Sequence, residues 1–600
     1  MKNKNVAFTL FNICFLCYFT IASFAQTNYN STKQLADSTK QISKREIKIQ
    51  KGQLYLNFPI SDSSPLKKTR ILADGKVLDE FTLGLSEGEP DFWTFFDVLP
   101  YQGKTITVES ENLGNAEKGF DKIFADTHFP GEDSLYREKL RPQVHFSSQR
   151  GWNNDVNGPV YYNGEYHLFY QHNPYGWKWG NMHWGHAVSK DLLQWKEMAE
   201  ALYTPDHSHM AFSGTATTDP KNTSGFRKNG IDPLIAAFTS TGRGECLALS
   251  YDNGRTFKDY EGNPVLKHKG RDPKVFWYQP GNHWVMVVYD ESHTRNMDLD
   301  QKAVISQNCI YTSPDLKNWT YQSGIPGFFE CPDLFEMKVE GQPGVTKWVM
   351  YGGDGKYVVG NFDGNKFAME QNFKMYDYGG AFYASQTFNN IPESDRRIQM
   401  GWARVPMEGM PFNQCMSFPT QLSLKKTANG FLLCPKPIAE ISSLYKGNYS
   451  YENKILTMDS NFTAPVNGDV VDVIAEFERG DAYLFGLNVN GYNVAYNNLS
   501  GGFINFPGEI KRENYSKANK TNYVVTDPSL FKIEVIADKS IMEIFVNDGE
   551  LYFVIPYNSV EAEKKIEVFA FSRPGQKTIL KKLEVHKLNP IWPQSKEIEP

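Results

Sequence analysis

The 600-residue sequence lacks several features that would have pointed to common functions. Its formal net charge is −6 with the signs interspersed, so it offers no basic face for a phosphate backbone, and nucleic acid is not expected as a partner. Cysteine is scarce: beyond Cys14 and Cys17 in the apolar N-terminal run, only Cys246, Cys309, Cys331, Cys415 and Cys434 remain. That odd, widely spaced set makes no disulfide framework. No Walker or dinucleotide glycine motif opens a helix, and no serine sits in a Gly-x-Ser-x-Gly context. His167, His172, His183 and His186 do not combine with cysteines or carboxylates at metal-ligand spacing. Neither a zinc site nor a nucleotide-phosphate site is therefore expected. Helical periodicity is almost absent.

Aromatic residues, by contrast, are abundant, 14% of the chain, set in short runs broken by Gly, Pro, Asn and Asp. This favours an all-β fold. Residues 1–25 read as an export signal: a basic start, an apolar stretch from Val6 to about Ile21, and small residues at Ala22-Ser23-Phe24-Ala25. The protein is accordingly expected to be exported, periplasmic or secreted, with no membrane span in the mature chain; the alternative is an uncleaved anchor, since the apolar run approaches the length of a membrane span. Polar residues 26–45 read as a linker, and the short alternating segments of 46–137 as a small antiparallel β module of unassigned role.

The central region carries a spaced echo. "SKDLLQW" from Ser189, "SYDNGRTF" from Ser250, "SPDLKNW" from Ser313 and, more weakly, "NFDGNKF" from Asn361 each join an Asp-bearing turn to a closing aromatic. The first three starts lie 250 − 189 = 61 and 313 − 250 = 63 residues apart. Multistranded units repeating at this interval are what a β-propeller requires, and 138–440 accommodates five blades. After that, regular alternation over 441–590 predicts a C-terminal β-sandwich.

Propeller strands converge on an axis, so acids distant in sequence can share one pocket. Three stand out. Asp155 in "WNNDVNG" is flanked by amides that can donate hydrogen bonds to it and hold it ionised, as a nucleophile needs; the same composition also suits an Asx turn. Asp272 in "GRDPKVFWY" sits beside Arg271, an arrangement suited to binding hydroxyls or to a plain surface ion pair. Glu330 in "GFFECPDLF" follows two phenylalanines, an apolar setting that would keep it protonated as a general acid, unless it is a strand glutamate facing solvent. An ionised acid, an apolar-buried acid and a hydroxyl-binding acid together fit glycoside hydrolysis in which one carboxylate attacks and another protonates the leaving oxygen. The aromatics of "YGWKWGNMHWGHAVS" are read mostly as blade core.

"WNNDVNG", "RDP" at Arg271–Pro273 and "ECPDLF" at Glu330–Phe335 resemble, in order, the three signature motifs of glycoside hydrolase family 32, the invertases, inulinases and levanases. "QHNP", "WGNMHWGHAVSKDLLQW", "FSGTA", "DYGGAFYASQTF" and "GWA" add to the resemblance over about Gln143–Leu433, and "ADKSIMEIFVNDG" resembles the family's sandwich. The N-terminal module lies outside it. The resemblance implies a five-bladed propeller followed by a sandwich, and retaining hydrolysis of β-fructofuranosides without a cofactor. It implies Asp155 as nucleophile, Glu330 as general acid/base, and Asp272, with Arg271, as transition-state stabiliser. Asn154, Gln171, Trp179, Phe212, Ser213 and Trp402 would line the subsite for the terminal fructose, and Cys331 would tune Glu330. The two reacting carboxyls should stand about 5–5.5 Å apart. Asn153, Val156 and Ala381 depart from the family's usual Met, Pro and Asp, which bears on the shape of the pocket mouth. Exo-acting hydrolysis of levan, inulin, fructo-oligosaccharides or sucrose is the expected activity. Endo-levanase, fructosyltransferase, a non-catalytic carbohydrate-binding propeller and a related arabinoside hydrolase are the rivals.

Overall fold

The structure, a computed structural model, describes residues 41–593 apart from 204–205, 292–305, 393–395, 458–460, 509–518, 523–528 and 560–562. The expected export signal and most of the expected linker lie outside the described residues. The first strand, Ile42–Lys48, takes in the last residues assigned above to the linker. It pairs in full register with Thr105–Glu111 at the edge of a four-stranded sheet. That sheet and a three-stranded one, Phe92–Asp97, Tyr55–Ile60 and Phe124–Asp126, enclose Leu56, Phe58, Phe81, Phe96, Ile106 and Val108 to form the N-terminal module.

Five antiparallel sheets follow. Their inner strands are Gly151–Tyr162, Ala211–Thr218, Gly270–Tyr278, Asp333–Lys338 and Phe382–Thr387. Successive inner strands touch around a closed circuit. Ser213 Oγ donates to Asp155 (2.7 Å) and Thr215 Oγ1 to the Pro273 carbonyl (2.8 Å). Lys274 Nζ lies 3.1 Å from Asp333, whose other oxygen accepts the Thr387 N–H (2.7 Å). Asn389, just past the fifth strand, donates its N–H to Pro159 on the first (2.8 Å). Phe412–Asn413, which follows the second strand of the last blade, pairs in parallel with Gly151–Trp152 and fastens that blade to the first. Five sheets joined in this order are the arrangement that a five-bladed propeller requires, in keeping with the 60-residue echo.

The echo has a structural cause. In each of the first three copies the serine hydroxyl donates to the aspartate two residues on, as Ser189 to Asp191 (2.9 Å), Ser250 to Asp252 (2.8 Å) and Ser313 to Asp315 (3.1 Å). The aspartates then accept backbone N–H groups of the next turn, such as Leu193 and Gln194 or Lys317 and Asn318. The chain passes through a left-handed residue, Leu192, Asn253 or Leu316, and the closing aromatic packs down. Each copy is thus an Asx-type turn that leaves the third strand of a blade.

Two six-stranded sheets spanning 445–588 form the sandwich around Val473, Phe485, Ile533, Ile544 and Phe553. Ile536, Phe545, Tyr552, Val554 and Trp592 pack instead into one core with propeller residues such as Tyr170, Phe382 and Phe418.

Candidate active site

Four of the five inner strands break register near their starts, between Asn153 and Val156, Ala211 and Gly214, Arg271 and Lys274, and Tyr383 and Gln386. A bulge turns its extra residue out of the ladder and re-aims the side chain. Asn154, Asp155, Phe212, Ser213 and Asp272 all fall inside these breaks. Gly158 closes the first motif because the first two inner strands approach too closely there for a side chain: it has φ 45°, and a Cβ would lie 2.4 Å from the Ala216 nitrogen. The fourth element has no bulge; Glu330 lies ahead of its strand. Asp272, Glu330 and Cys331 have φ 69°, 51° and 38°, conformations costing on the order of 1–3 kcal/mol each in non-glycine residues and concentrated at functional sites.

These distortions bring the three acids together. Asp155 accepts hydrogen bonds from Ser213 Oγ (2.7 Å), Asn154 Nδ2 (3.0 Å) and the Cys331 thiol (3.4 Å). Asn154 is itself held by Trp152 Nε1 (2.9 Å). Asp272 accepts the Cys331 N–H (3.0 Å) and faces the same thiol at 3.6 Å, while its own N–H donates to Thr239 Oγ1 (2.9 Å). Cys331 therefore bridges the two aspartates. The Glu330 carboxyl is gripped from two sides, by Arg271 at Oε1 and by the Tyr383 hydroxyl at Oε2 (2.7 Å).

Three sequence expectations change here. Burial raises the Asp155 pKa and the nearby Glu330 charge raises it further; the bonds from Ser213, Asn154 and Cys331 only partly offset this, so the net shift is upward rather than down. Glu330 is not enclosed by its phenylalanines, since its side chain is 25% exposed and rests on Arg271. Arg271, sequence neighbour of Asp272, lies 3.9 Å from it and makes its hydrogen bonds to Glu330. Asp272 itself is raised to about 7 by burial, with Arg271 opposing and the Glu330 and Asp155 charges adding. As Asp272 and Asp155 interact, their titration belongs to the pair.

Around the acids stand aromatic walls. Trp402 packs edge-to-face on Trp152 (5.8 Å) and Tyr383 (5.9 Å), and its Nε1 donates to Gln414 (3.2 Å). Trp179, 48% exposed, meets Phe212, the neighbour of Ser213, edge-on at 6.0 Å. Gln171 is buried beneath, its amide donating to the Ala211 carbonyl (2.9 Å). Trp184 is blade core, as expected. The departures from the family pattern point away from the acids. Val156 and Ala381 are buried in the core, and Asn153, with its amide nitrogen turned toward the Gln414 and Asn413 carbonyls, ties the first strand to the closing segment. Tyr383 and Trp152 were not singled out from the sequence as site residues. The sole local signal for Tyr383 was the aromatic inside "FYA", which reads equally as strand core.

Known proteins resemble this chain over most of its length. Residues 145–435 match the model of the glycosyl hydrolases family 32 N-terminal domain and 440–587 that of the family 32 C terminal. A levanase of Bacillus subtilis is 37% identical over 509 residues, 77% of this chain and 72% of the levanase. The extracellular exo-inulinase of Aspergillus niger is 29% identical over 540 residues, 76% of this chain and 96% of that one. The crystal structure of exo-inulinase from Aspergillus awamori superposes with TM-score 0.66 at 26% identity, covering 76% of this chain and all of that one. The module at 41–126 precedes both matched segments. With both of the family's domain models matched in order and a relative 37% identical over most of the chain, the chain belongs to glycoside hydrolase family 32.

Proposed function

We propose that this chain, a hydrolase of β-fructofuranosides, is exported and releases fructose from the ends of levan, inulin and fructo-oligosaccharides, with sucrose as a further substrate, by a retaining double displacement. The observation that carries the reading is the pairing of unlike carboxyls. Asp155 is fixed by three donors inside the site, and Glu330 is presented at the mouth by Arg271 and Tyr383.

Asp155 attacks the anomeric C2 while Glu330 gives its proton to the departing oxygen; Glu330 then takes a proton from the water that frees fructose. Ser213 and Asn154 aim the Asp155 oxygens, so little orientation remains to be found at the moment of attack. Asp272, held by the Cys331 N–H, binds fructose hydroxyls and faces the positive charge that builds at C2. Trp179, Phe212, Trp152 and Trp402 wall the fructose subsite.

Digestion of levan, inulin and sucrose, with products resolved by size, tests the reading. Fructose alone is expected; a ladder of oligomers means endo action, and lengthened chains mean fructosyl transfer. The fructose first released should be the β anomer, and an α product would overturn the retaining mechanism.

The acid cluster also predicts a pH dependence. Because Asp155 and Asp272 are both raised, the acid limb of kcat/KM lies above the ordinary carboxylate range of about 4. Asp272→Asn removes one charge from the cluster, so the remaining limb moves to lower pH while kcat falls by about 10²–10³-fold. A limb that stays in place would mean that the acids titrate independently.

A further inference from the structure

Trp179 sits on the segment 174–182, between the second and third strands of the first blade. Much of what holds this segment comes from the N-terminal module. Tyr175 leaves the propeller and enters the module's core, its ring stacked on Phe81 at 3.5 Å and edge-on to Phe58 at 6.2 Å. Its hydroxyl donates to Asp79 (2.7 Å), whose other oxygen meets His183 Nε2 (2.9 Å); all three side chains are buried. Between these anchors, Asn181 pairs with the module strand Lys76–Leu83 as another strand would: its amide donates to the Thr82 carbonyl (2.7 Å) and accepts the Thr82 N–H (2.8 Å). Thr94 donates to the Pro174 carbonyl, and Lys178 reaches Asp62 (2.7 Å). The propeller adds Asn173 to the Lys178 carbonyl (2.8 Å) and Asn413 to the Trp177 carbonyl (3.0 Å).

We infer that the N-terminal module is a buttress of the substrate-binding site: by gripping segment 174–182 it fixes Trp179 against Phe212, and Asp79 is a positioning residue for fructan binding. The inference rests on the proposed role of Trp179 in the fructose subsite. Asp79 touches no reacting group. Its buried carboxylate is shared by two donors at the two ends of the segment, so its loss removes a tie from each end at once. The wall at Trp179 then loosens while Asp155, Asp272 and Glu330 keep their own supports. Loss of ground-state and transition-state binding together raises KM and spares kcat.

Kinetics on levan with the full chain test this. Asp79→Ala should raise KM about tenfold and change kcat less than about twofold. Trp179→Ala should raise KM by at least as much, and Asp79→Ala in the Trp179→Ala background should add nothing, because the first acts through the second. Tyr175→Phe keeps the stacked ring, so its effect should be the smaller one. Should Asp79→Ala not fold, Asp79→Asn takes its place, and hydrogen exchange within 174–182 should rise in it while exchange in the other blades is unchanged. An unchanged KM in Trp179→Ala refutes the subsite reading and the buttress with it. A raised KM in Trp179→Ala with an unchanged KM in the Asp79 variants, or additive effects in the double variant, refutes the buttress alone.

Discussion

Asp155→Asn and Glu330→Gln, made separately, are each expected to lower kcat on levan by about 10⁴-fold or more, and together by little more than either alone, as for residues that act as one unit. Both substitutions are near-isosteric and both sites keep their neighbours, so melting temperatures should stay close to wild type. The roles are then separated by chemistry. With Asp155→Ala, azide can enter the vacated side of C2 and should give a fructosyl azide of inverted configuration. With Glu330→Ala, the covalent intermediate still forms from a substrate with an activated leaving group, and azide should give the retained product. If either Asn or Gln variant keeps more than a tenth of wild-type turnover, the pair has been misassigned. If the azide products are exchanged, the two roles are reversed.

How far these residues could be read from the sequence depended on how local their signals are. Asp155, Asp272 and Glu330 stand in short motifs with unusual neighbours, and a 60-residue repeat was enough to suggest that they meet. Their electrostatics were not legible, because a carboxyl's surroundings in this fold come from other blades. Arg271 abuts Asp272 in the chain, yet the bulge at that point swings its guanidinium to Glu330, 59 residues on. Cys331 was expected to tune Glu330, whereas its thiol and N–H turn to the two aspartates. The bulges themselves leave no compositional mark, since a register break depends on both strands of a pair. Tyr175 and Asp79 were invisible for a related reason: they are 96 residues apart and belong to different domains. A tyrosine two residues past "QHN" carries no sign that its ring leaves its own blade.

The second large effect is expected at the seam between propeller and sandwich. Asp538 on the sandwich accepts the backbone N–H groups of Gln143 (2.8 Å) and Val144 (2.8 Å) and meets His145 Nδ1 at 2.9 Å. The other ring nitrogen of His145 lies 3.3 Å from Glu543, which accepts the Phe418 N–H (2.6 Å) and the Tyr552 hydroxyl (2.7 Å). All three charged side chains are fully buried. Asp538→Ala strands a buried imidazolium and two backbone donors, a loss of about 3–5 kcal/mol, read as a lower midpoint in chemical or thermal unfolding. The pH dependence has a definite sign. Burial would lower the His145 pKa, but the bonds to Asp538 and Glu543 raise it to about 9 from the ordinary 6.5. The folded state therefore holds the proton more tightly than the unfolded chain, and this stabilisation is complete below about pH 6.5 and is lost as the pH rises to about 9. Asp538 is pushed up by burial, but its bonds from His145, Gln143 and Val144 outweigh that and hold it low, so its share is lost only in acid, below its ordinary 3.8. His268, raised to about 9 by Asp290 and Glu245, loses its contribution over the same alkaline window. Wild-type stability should consequently fall between pH 6.5 and 9, and Asp538→Asn should flatten that fall without abolishing it, because His268 still titrates. A wild-type stability that is level or rising across this window would mean that His145 is neutral when folded, and that packing rather than charge joins the two domains.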